Sequence, residues 1–298
     1  MKRDRAVISV IIPCFNRIGF VADAIHSVFN QSIGSESLEL IIVDDGSTDG
    51  SWEFLESKQR SGEIVLLCHP GRVNKGQAAA LNLGLTRAKG TYIALLDSDD
   101  VFAAGKLEDQ VAFLDSNPDI GMVYGQGHAI DAEGNYLFKL LPDEHEEPSD
   151  PNHLLLDCYM ALPGGGLVRR TTWEKAGYFE ESFRAAQDHD MALRLMEVAP
   201  VAYLPKVAFY YRKHDDAISK KGLERRWKTG FEILERARRR YPYRQSTIRK
   251  RAAVLNFRLG QTYWRDGKRL CAVPYFLKSG VLDPVRAVGV LTGREALH

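Results

Sequence analysis

The sequence predicts an α/β protein: a mostly parallel sheet flanked by helices, followed by a helical extension. Three observations predict it. Strand and helix signals alternate through the first hundred residues, as the crossovers between parallel strands require. The strand segments are rich in apolar and β-branched residues, the first most of all, like strands covered on both faces. After Lys220 the periodicity is helical throughout.

Residues 6–12 (AVISVII) make the first strand. Over residues 20–29, Val21, Ile25, Val28 and Phe29 recur at helical spacing and give an amphipathic helix. Residues 38–43 make the second strand, which stops at Asp44-Asp45-Gly46; an Asp/Ser/Thr-rich start then suits a helix cap before residues 51–58. A strand over 63–68, a helix over 77–88 and a strand over 91–96 complete the regular part. Beyond residue 120 the pattern loosens. It holds a strand over 121–124, an acidic proline-containing loop over 142–151 and a flexible turn at Leu162-Pro163-Gly164-Gly165-Gly166. A helix over 188–198 follows, then two short strands within 201–211 broken by Pro205. Residues 227–240 and 246–259 read as amphipathic helices, and 261–278 as a helical hairpin turning at Asp266-Gly267. One hairpin does not make a repeat protein. The expected organisation is a domain over 1–219 and a basic helical region over 220–298.

A chain of 298 residues, 45% hydrophobic and 27% charged, is a soluble globular protein with room for one large domain and a smaller one. The net charge of +1 conceals a split. From Lys220 onward, 20 basic side chains meet 6 acidic ones, about +14, against about −13 for the rest. The arginine-rich segments around Arg236, Arg238, Arg239 and Arg240 and around Arg249, Lys250 and Arg251 are expected to touch an anionic membrane face. No nucleic-acid partner is expected. Cys14, Cys68, Cys158 and Cys271 form no CxxC pair and read as buried, reduced thiols. The short apolar run before Pro13 is expected to be a buried strand and not a signal peptide, and nowhere do about 18 apolar residues run together. The expected location is the cytoplasm, with peripheral contact at the inner membrane face.

In an open α/β sheet, ligands gather at the carboxyl ends of the strands. Three polar clusters lie there: Pro13-Cys14-Phe15-Asn16, Asp44-Asp45-Gly46-Ser47 and Asp97-Ser98-Asp99-Asp100. Three carboxylates within four residues repel one another unless a cation sits among them. Hard oxygen ligands suit Mg²⁺ or Mn²⁺, which completes its shell from water and substrate phosphates. A solvated acidic turn capping the next helix is the plainer alternative. Capping also suits Ser47, Thr48 and Asp49, whereas Asp45 can accept the N3–H of a uracil ring beside the aromatic Phe15.

VSVIIPCFN, VDDGSTDGS, NKGQAAALNLG and LLDSDD, in this order and at these spacings, resemble glycosyltransferase family 2. The resemblance continues through GLVRRTTWEKAGYFEESFRAAQDHDMALRL into YYRKHDDAIS and covers about residues 6–219. It implies the A-type nucleotide-diphospho-sugar transferase fold (GT-A). It also implies inverting transfer of a sugar from a nucleoside-diphosphate donor, UDP-linked by preference, to the hydroxyl of a glycan, lipid-linked or other acceptor. Pro13, Phe15 and Asp45 would line the nucleoside pocket. Asn74, Gly76 and Asn82 match a pattern beside base and ribose, although Leu81 stands where an arginine is common. Asp97 and Asp99 match the family's DxD motif. Asp99 would bind Mn²⁺ or Mg²⁺, with Asp97 or Asp100 near the ribose or a metal-bound water, Asp97 also as a second metal ligand, and Ser98 on the nucleotide. His214 would sit on or beside that metal. Asp188 would be the general base, although Gln187 precedes it where glutamate is usual. Gly164, Gly165 and Gly166 would border the acceptor. The alternative is a nucleotide-sugar-binding regulatory protein that has lost catalysis. A sugar nucleotidyltransferase or dinucleotide oxidoreductase would want a glycine-rich loop after the first strand, which PCFNRIGF lacks.

Overall fold

The computed structural model describes residues 8–34, 37–214 and 222–291. Ala6 and Val7 of the expected first strand, the end of the YYRKHDDAIS motif and the boundary at 219/220 lie outside them. Four strands, β1 (Ile8–Cys14), β2 (Leu38–Asp44), β3 (Val65–Cys68) and β4 (Tyr92–Leu95), pair in parallel in the order β3-β2-β1-β4. Their connections carry α1 (Val21–Phe29), α2 (Ser51–Arg60) and α3 (Gln77–Arg87).

Every β1 residue is buried because helices cover both faces. Ile8, Val10, Ile12 and Cys14 alternate onto one side and join Val21, Ala24, Ile25 and Val28 of α1 in the main core. Ile11 points to the other side, beneath α3, where Gly84 lets the helix approach. A Cβ on Gly84 would lie 2.4 Å from Ile11 Cγ2. That close seat fixes where the N-terminus of α3 sits.

Past β4 the sheet turns mixed. β5 (Val101–Phe102), α4 (Lys106–Ser116), β6 (Met122–Ile130), β7 (Tyr136–Lys139), α5 (Pro151–Leu156), the turn α6 (Leu162–Gly165), β8 (Gly166–Arg169), α7 (Arg170–Ala176), α8 (Gln187–Val198) and β9 (Val201–Arg212) follow in the chain. β8 runs antiparallel between β4 and β6, β9 lies parallel on the far side of β6, and β5 and β7 add antiparallel edges. The two strands expected within 201–211 are one. The β6–β9 register passes from Gly125↔Leu204 to Gln126↔Val207, so a bulge leaves Pro205, which has no N–H to donate, outside the ladder.

The glycine turn is packed, not flexible. Gly164 to Gly166 are buried, Gln110 Nε2 donates to Gly165 O at 2.8 Å, and Lys106 Nζ donates to Gly166 O at 3.0 Å. Gly164 sits at φ 79°, where a Cβ would meet the Phe209 ring at 2.3 Å.

The chain divides into two compact units, Met1–Ser149 with Tyr159–His214, and Asp150–Cys158 with Asp215–His298. The second holds α5 together with α9 (Leu223–Arg240), α10 (Gln245–Arg265), α11 (Arg269–Leu282) and α12 (Pro284–Leu291). Within it, Ile233, Leu234 and Ala237 of α9 and Ala253, Leu255 and Leu259 of α10 are buried. Arg244 N donates to Asn152 Oδ1 at 2.9 Å and fixes α5 against α10. Two expectations fail here. Cys271 is exposed, though Cys14 is buried. Arg251, expected on an exposed basic face, is buried and donates to Leu156 O at 3.1 Å; Arg238 and Arg239 remain exposed and pair with Glu235. No helix among the described residues is long and apolar enough to cross a membrane.

Candidate active site

The loops after β1 and β2 are sewn together at their carboxyl ends. Asn16, at φ 52°, accepts the Thr48 N–H on Oδ1 at 2.8 Å, and its own N–H reaches Ser47 Oγ at 2.9 Å. Asp44 Oδ1 accepts from Gly46 N and Ser47 N, and Asp49 accepts from Ile18 N and Ser51 N. These bonds account for Ser47, Thr48 and Asp49 as loop ties. Pro13 is buried at the end of β1, beyond the last β1–β4 pair (Ile11↔Leu95), while Phe15 is 43% exposed.

Asp45 is 3% exposed and ties the end of β2 to the segment before α3. Its Oδ1 accepts the Lys75 N–H and its Oδ2 the Gly76 N–H, both at 2.7 Å. Each oxygen retains a further lone pair. Gly46, at φ 85°, lets the same segment cross above it, since a Cβ there would lie 2.6 Å from Arg72 O. Asn74 is exposed beside it. Gly76 caps α3 at φ 93°, with Arg184 Nη1 where a Cβ would stand, and that guanidinium donates to Lys75 O. Asn82, expected beside base and ribose, spends its amide elsewhere. It accepts from Phe179 N at 2.8 Å and donates to Phe179 O and Glu181 Oε1, so it pins the Gly-Tyr-Phe-Glu-Glu approach to α8.

The acidic cluster follows β4. Asp97 Oδ1 accepts from Gln77 Nε2 at 2.6 Å, and Gln77 Oε1 accepts from Gln187 Nε2 at 2.7 Å. This chain joins the DxD loop, the N-terminus of α3 and the N-terminus of α8, where Asp188 stands half-buried in the first turn. The residue before Gln187, Ala186, is held left-handed at φ 57°, a conformation that costs an L residue about 1–2 kcal/mol. Burial raises Asp97 to about 7, helped by the negative charges of Asp99 and then Asp188. Those two carboxylates are therefore its electrostatic neighbours. Asp100 is buried, accepts from Arg212 N at 2.9 Å, and is also pushed well above the ordinary carboxylate range, by burial and then by Asp97 and Asp99. Ser98 is buried between them.

Asp99 Oδ2 sits 3.0 Å from His214 Nε2 and accepts from Arg17 Nε at 2.9 Å. His214 is buried and lies 4.7 Å from the Phe20 ring. Arg212 is buried too, donating to Asp99 O, Ala132 O and Asp23 Oδ2. His214 Nε2 and Arg17 Nε thus meet on the same Asp99 oxygen; a carboxylate oxygen is the donor type that suits Mn²⁺ or Mg²⁺, with the imidazole beside it. Among the described residues no group of three or more His, Cys, Asp or Glu could hold a metal by itself, so phosphates or water would complete the shell. Gly164 to Gly166 are held by Lys106, Gln110 and Phe209 and not by this cluster.

Four side chains of this arrangement escaped the sequence reading: Arg17, Gln77, Arg184 and Arg212. Gln77 was within sight, inside the NKGQAAALNLG motif. The three arginines owe their places to contacts 82, 109 and 113 residues away, which no local pattern announces.

Residues 9–174 match the model of the family described as Glycosyl transferase family 2. An uncharacterized glycosyltransferase of Rickettsia felis is 30% identical over 72% of this chain, which covers 35% of that protein, so the chain spans about a third of that relative's length. Staphylococcus aureus TarS (residues 1–349), solved in complex with UDP-GlcNAc, superposes with a TM-score of 0.72 at 17% identity, over 93% of this chain and 80% of that one. A mannosyltransferase from Pyrobaculum calidifontis, solved with GDP-Man and Mn²⁺, gives 0.59 at 18% identity, over 98% and 88%. The fold is therefore the A-type fold of nucleotide-diphospho-sugar transferases, with helices added after the sheet. On the strength of the family match and the order of its motifs, the chain belongs to glycosyltransferase family 2.

Proposed function

We propose that this protein is an inverting, metal-dependent glycosyltransferase that moves a sugar from a nucleoside diphosphate, UDP by preference, to an acceptor hydroxyl. The observation that carries the reading is the bonded path Asp97–Gln77–Gln187, which ends beside Asp188, together with the charge that Asp99 and Asp188 both impose on Asp97. These observations support a candidate metal-binding carboxylate and a candidate base acting from separate strand and helix ends.

Asp188 takes the proton from the acceptor hydroxyl, whose oxygen bonds to the anomeric carbon. The bond from that carbon to the phosphate oxygen breaks on the opposite face, and its electron pair leaves with the nucleoside diphosphate. One displacement without a covalent intermediate inverts the centre. Asp99 and His214 would hold Mn²⁺ or Mg²⁺, with Asp97 alongside. Such an ion, when bound, neutralises charge on the departing pyrophosphate. Phe15 offers an aromatic surface to the base, Asp45 a carboxylate acceptor for its N–H, and Asn74 and Gly76 line the same segment.

The test is Asp188→Asn, assayed with a radiolabelled UDP-sugar and by UDP binding. We expect transfer to fall by about 10²–10⁴-fold with UDP binding retained. Undiminished transfer in the variant would remove Asp188 from the chemistry. A wild-type protein that binds nucleotide sugars but never transfers or hydrolyses them would be the regulatory protein instead.

A further inference from the structure

α11 turns an apolar face to solvent. Leu270 is 91% exposed, Leu277 67% and Val281 81%, and Val273 and Pro274 are exposed between them. At 100° per residue these five positions fall within an arc of roughly 100°, one continuous apolar face turned outward. The opposite face is the packed one: Ala272 is buried, the Phe276 ring lies 5.7 Å from Phe257, and Ser279 Oγ donates to Ala253 O at 2.9 Å. α12 repeats the pattern with Val285, 82% exposed, and Val288 one turn on. Soluble surfaces rarely leave so continuous an apolar patch uncovered.

Its rim is basic. On the same helical wheel Arg269 borders one edge of the α11 stripe and Lys278 the other. Arg265 and Lys268 precede it and Arg286 follows within α12, against Asp266 and Asp283 alone. Asp283 accepts the Arg286 N–H as a cap. At the end of α10, Trp264 is exposed with the Arg269 guanidinium 5.3 Å from its ring centre. An indole beside cations at the border of an apolar stripe is the composition of a helix lying in the headgroup boundary. A second copy of this chain seated on the stripe would set like charges across the interface, whereas anionic headgroups complement them.

We propose that α11 and α12 dock this protein on an anionic lipid bilayer, with Leu270, Val273, Leu277 and Val281 in the acyl boundary and Arg269, Lys278 and Arg286 at the headgroups. The site differs from the arginine-rich segments of α9 and α10, and it does not depend on the transferase reading.

Flotation of the full chain with vesicles of phosphatidylcholine, with and without 30% phosphatidylglycerol, tests it. We expect binding to the anionic vesicles, reduced at least tenfold in Leu277→Glu/Val281→Glu. In Arg269→Gln/Lys278→Gln the preference for the anionic lipid should shrink. Quenching of tryptophan emission by brominated phosphatidylglycerol, lost in Trp264→Phe, tests the same contact without charging the stripe. Failure of the wild type to float would overturn the proposal. So would undiminished flotation of the Glu variant, or a dimer in light scattering that this variant dissolves.

Discussion

Gln187 donates its side-chain amide to Gln77 at 2.7 Å, and Gln77 gives its own amide to Asp97 at 2.6 Å. The pairing works because position 187 is neutral and can donate. Glutamate there would oppose Gln77 Oε1 with a second acceptor. Rotating the Gln77 amide would only move the clash to Asp97. We expect Gln187→Glu to unfold at a lower temperature than the wild type at pH 8, by an amount equivalent to about 1–3 kcal/mol. The deficit should shrink as pH falls towards 5.5, because like charges raise the new carboxyl and protonation restores a donor. Differential scanning calorimetry at the two pH values reads this change, and a Gln187→Glu curve parallel to the wild type would contradict the account.

Arg17 holds the Asp99 oxygen that His214 also faces. Its guanidinium offsets the charge of Asp99, and on the proposed function it would compete with a cation for that oxygen. Arg17→Ala should therefore bind Mn²⁺ in the presence of UDP several-fold more tightly, read by electron paramagnetic resonance of the free ion. Without Mn²⁺ it should lose about 1.5–3 kcal/mol, the range for a hydrogen bond to a charged group. His214→Ala should move the Mn²⁺ affinity the other way. Equal affinity in Arg17→Ala and wild type would show that Asp99 is not the ion's ligand.

The parallel half of the sheet was legible because β1 to β4 carry their own pattern, mostly apolar and punctuated by Asp-Gly and Asp-Ser-Asp-Asp. The mixed half was not. Pro205 reads as a strand break until β6 supplies a partner whose bulge absorbs it. A glycine run reads as flexible until Phe209, more than forty residues on, occupies the space those glycines leave. Asn82 fits a motif by position, yet the backbone of Phe179 takes its amide, a contact 97 residues distant. Local chemistry predicted where carboxylates gather, but their arginine and glutamine partners come from tertiary packing.

The buried turn at Gly164 separates packing from substrate contact. Gly164→Ala places a methyl group against the Phe209 ring and holds alanine at φ 79°. Overpacking costs about 1–3 kcal/mol, and the left-handed backbone adds about 1–2 kcal/mol. Chemical denaturation should register a loss in this range with the cooperativity of unfolding unchanged. Gly164→Ala/Phe209→Leu should recover only the packing share. A stable Gly164→Ala protein with altered acceptor choice would instead support the expected place of the glycine turn beside the acceptor.

Lys106 gives the clearest pH signature away from the acidic cluster. It is 2% exposed, its Nζ donates to Gly166 O at 3.0 Å, and it stands 4.1 Å from the centre of the Phe102 ring. With no carboxylate among the described residues paired to it, burial pushes the ammonium down to about 7 from its ordinary 10.5. Below pH 7 the side chain is charged in both folded and unfolded chains, and the penalty for burying that charge is fully present. Between pH 7 and 10.5 the folded chain is neutral while the unfolded chain still holds the proton. Stability from this group therefore rises with pH across that window, by at most about 1.4 kcal/mol per unit. Lys106→Met fills the same space without the charge, at the loss of one hydrogen bond to Gly166. We expect it to match or exceed the wild type at pH 7, with the difference shrinking or reversing by pH 9.5. Urea unfolding at the two pH values measures it. A difference independent of pH would mean that Lys106 keeps its proton inside the fold.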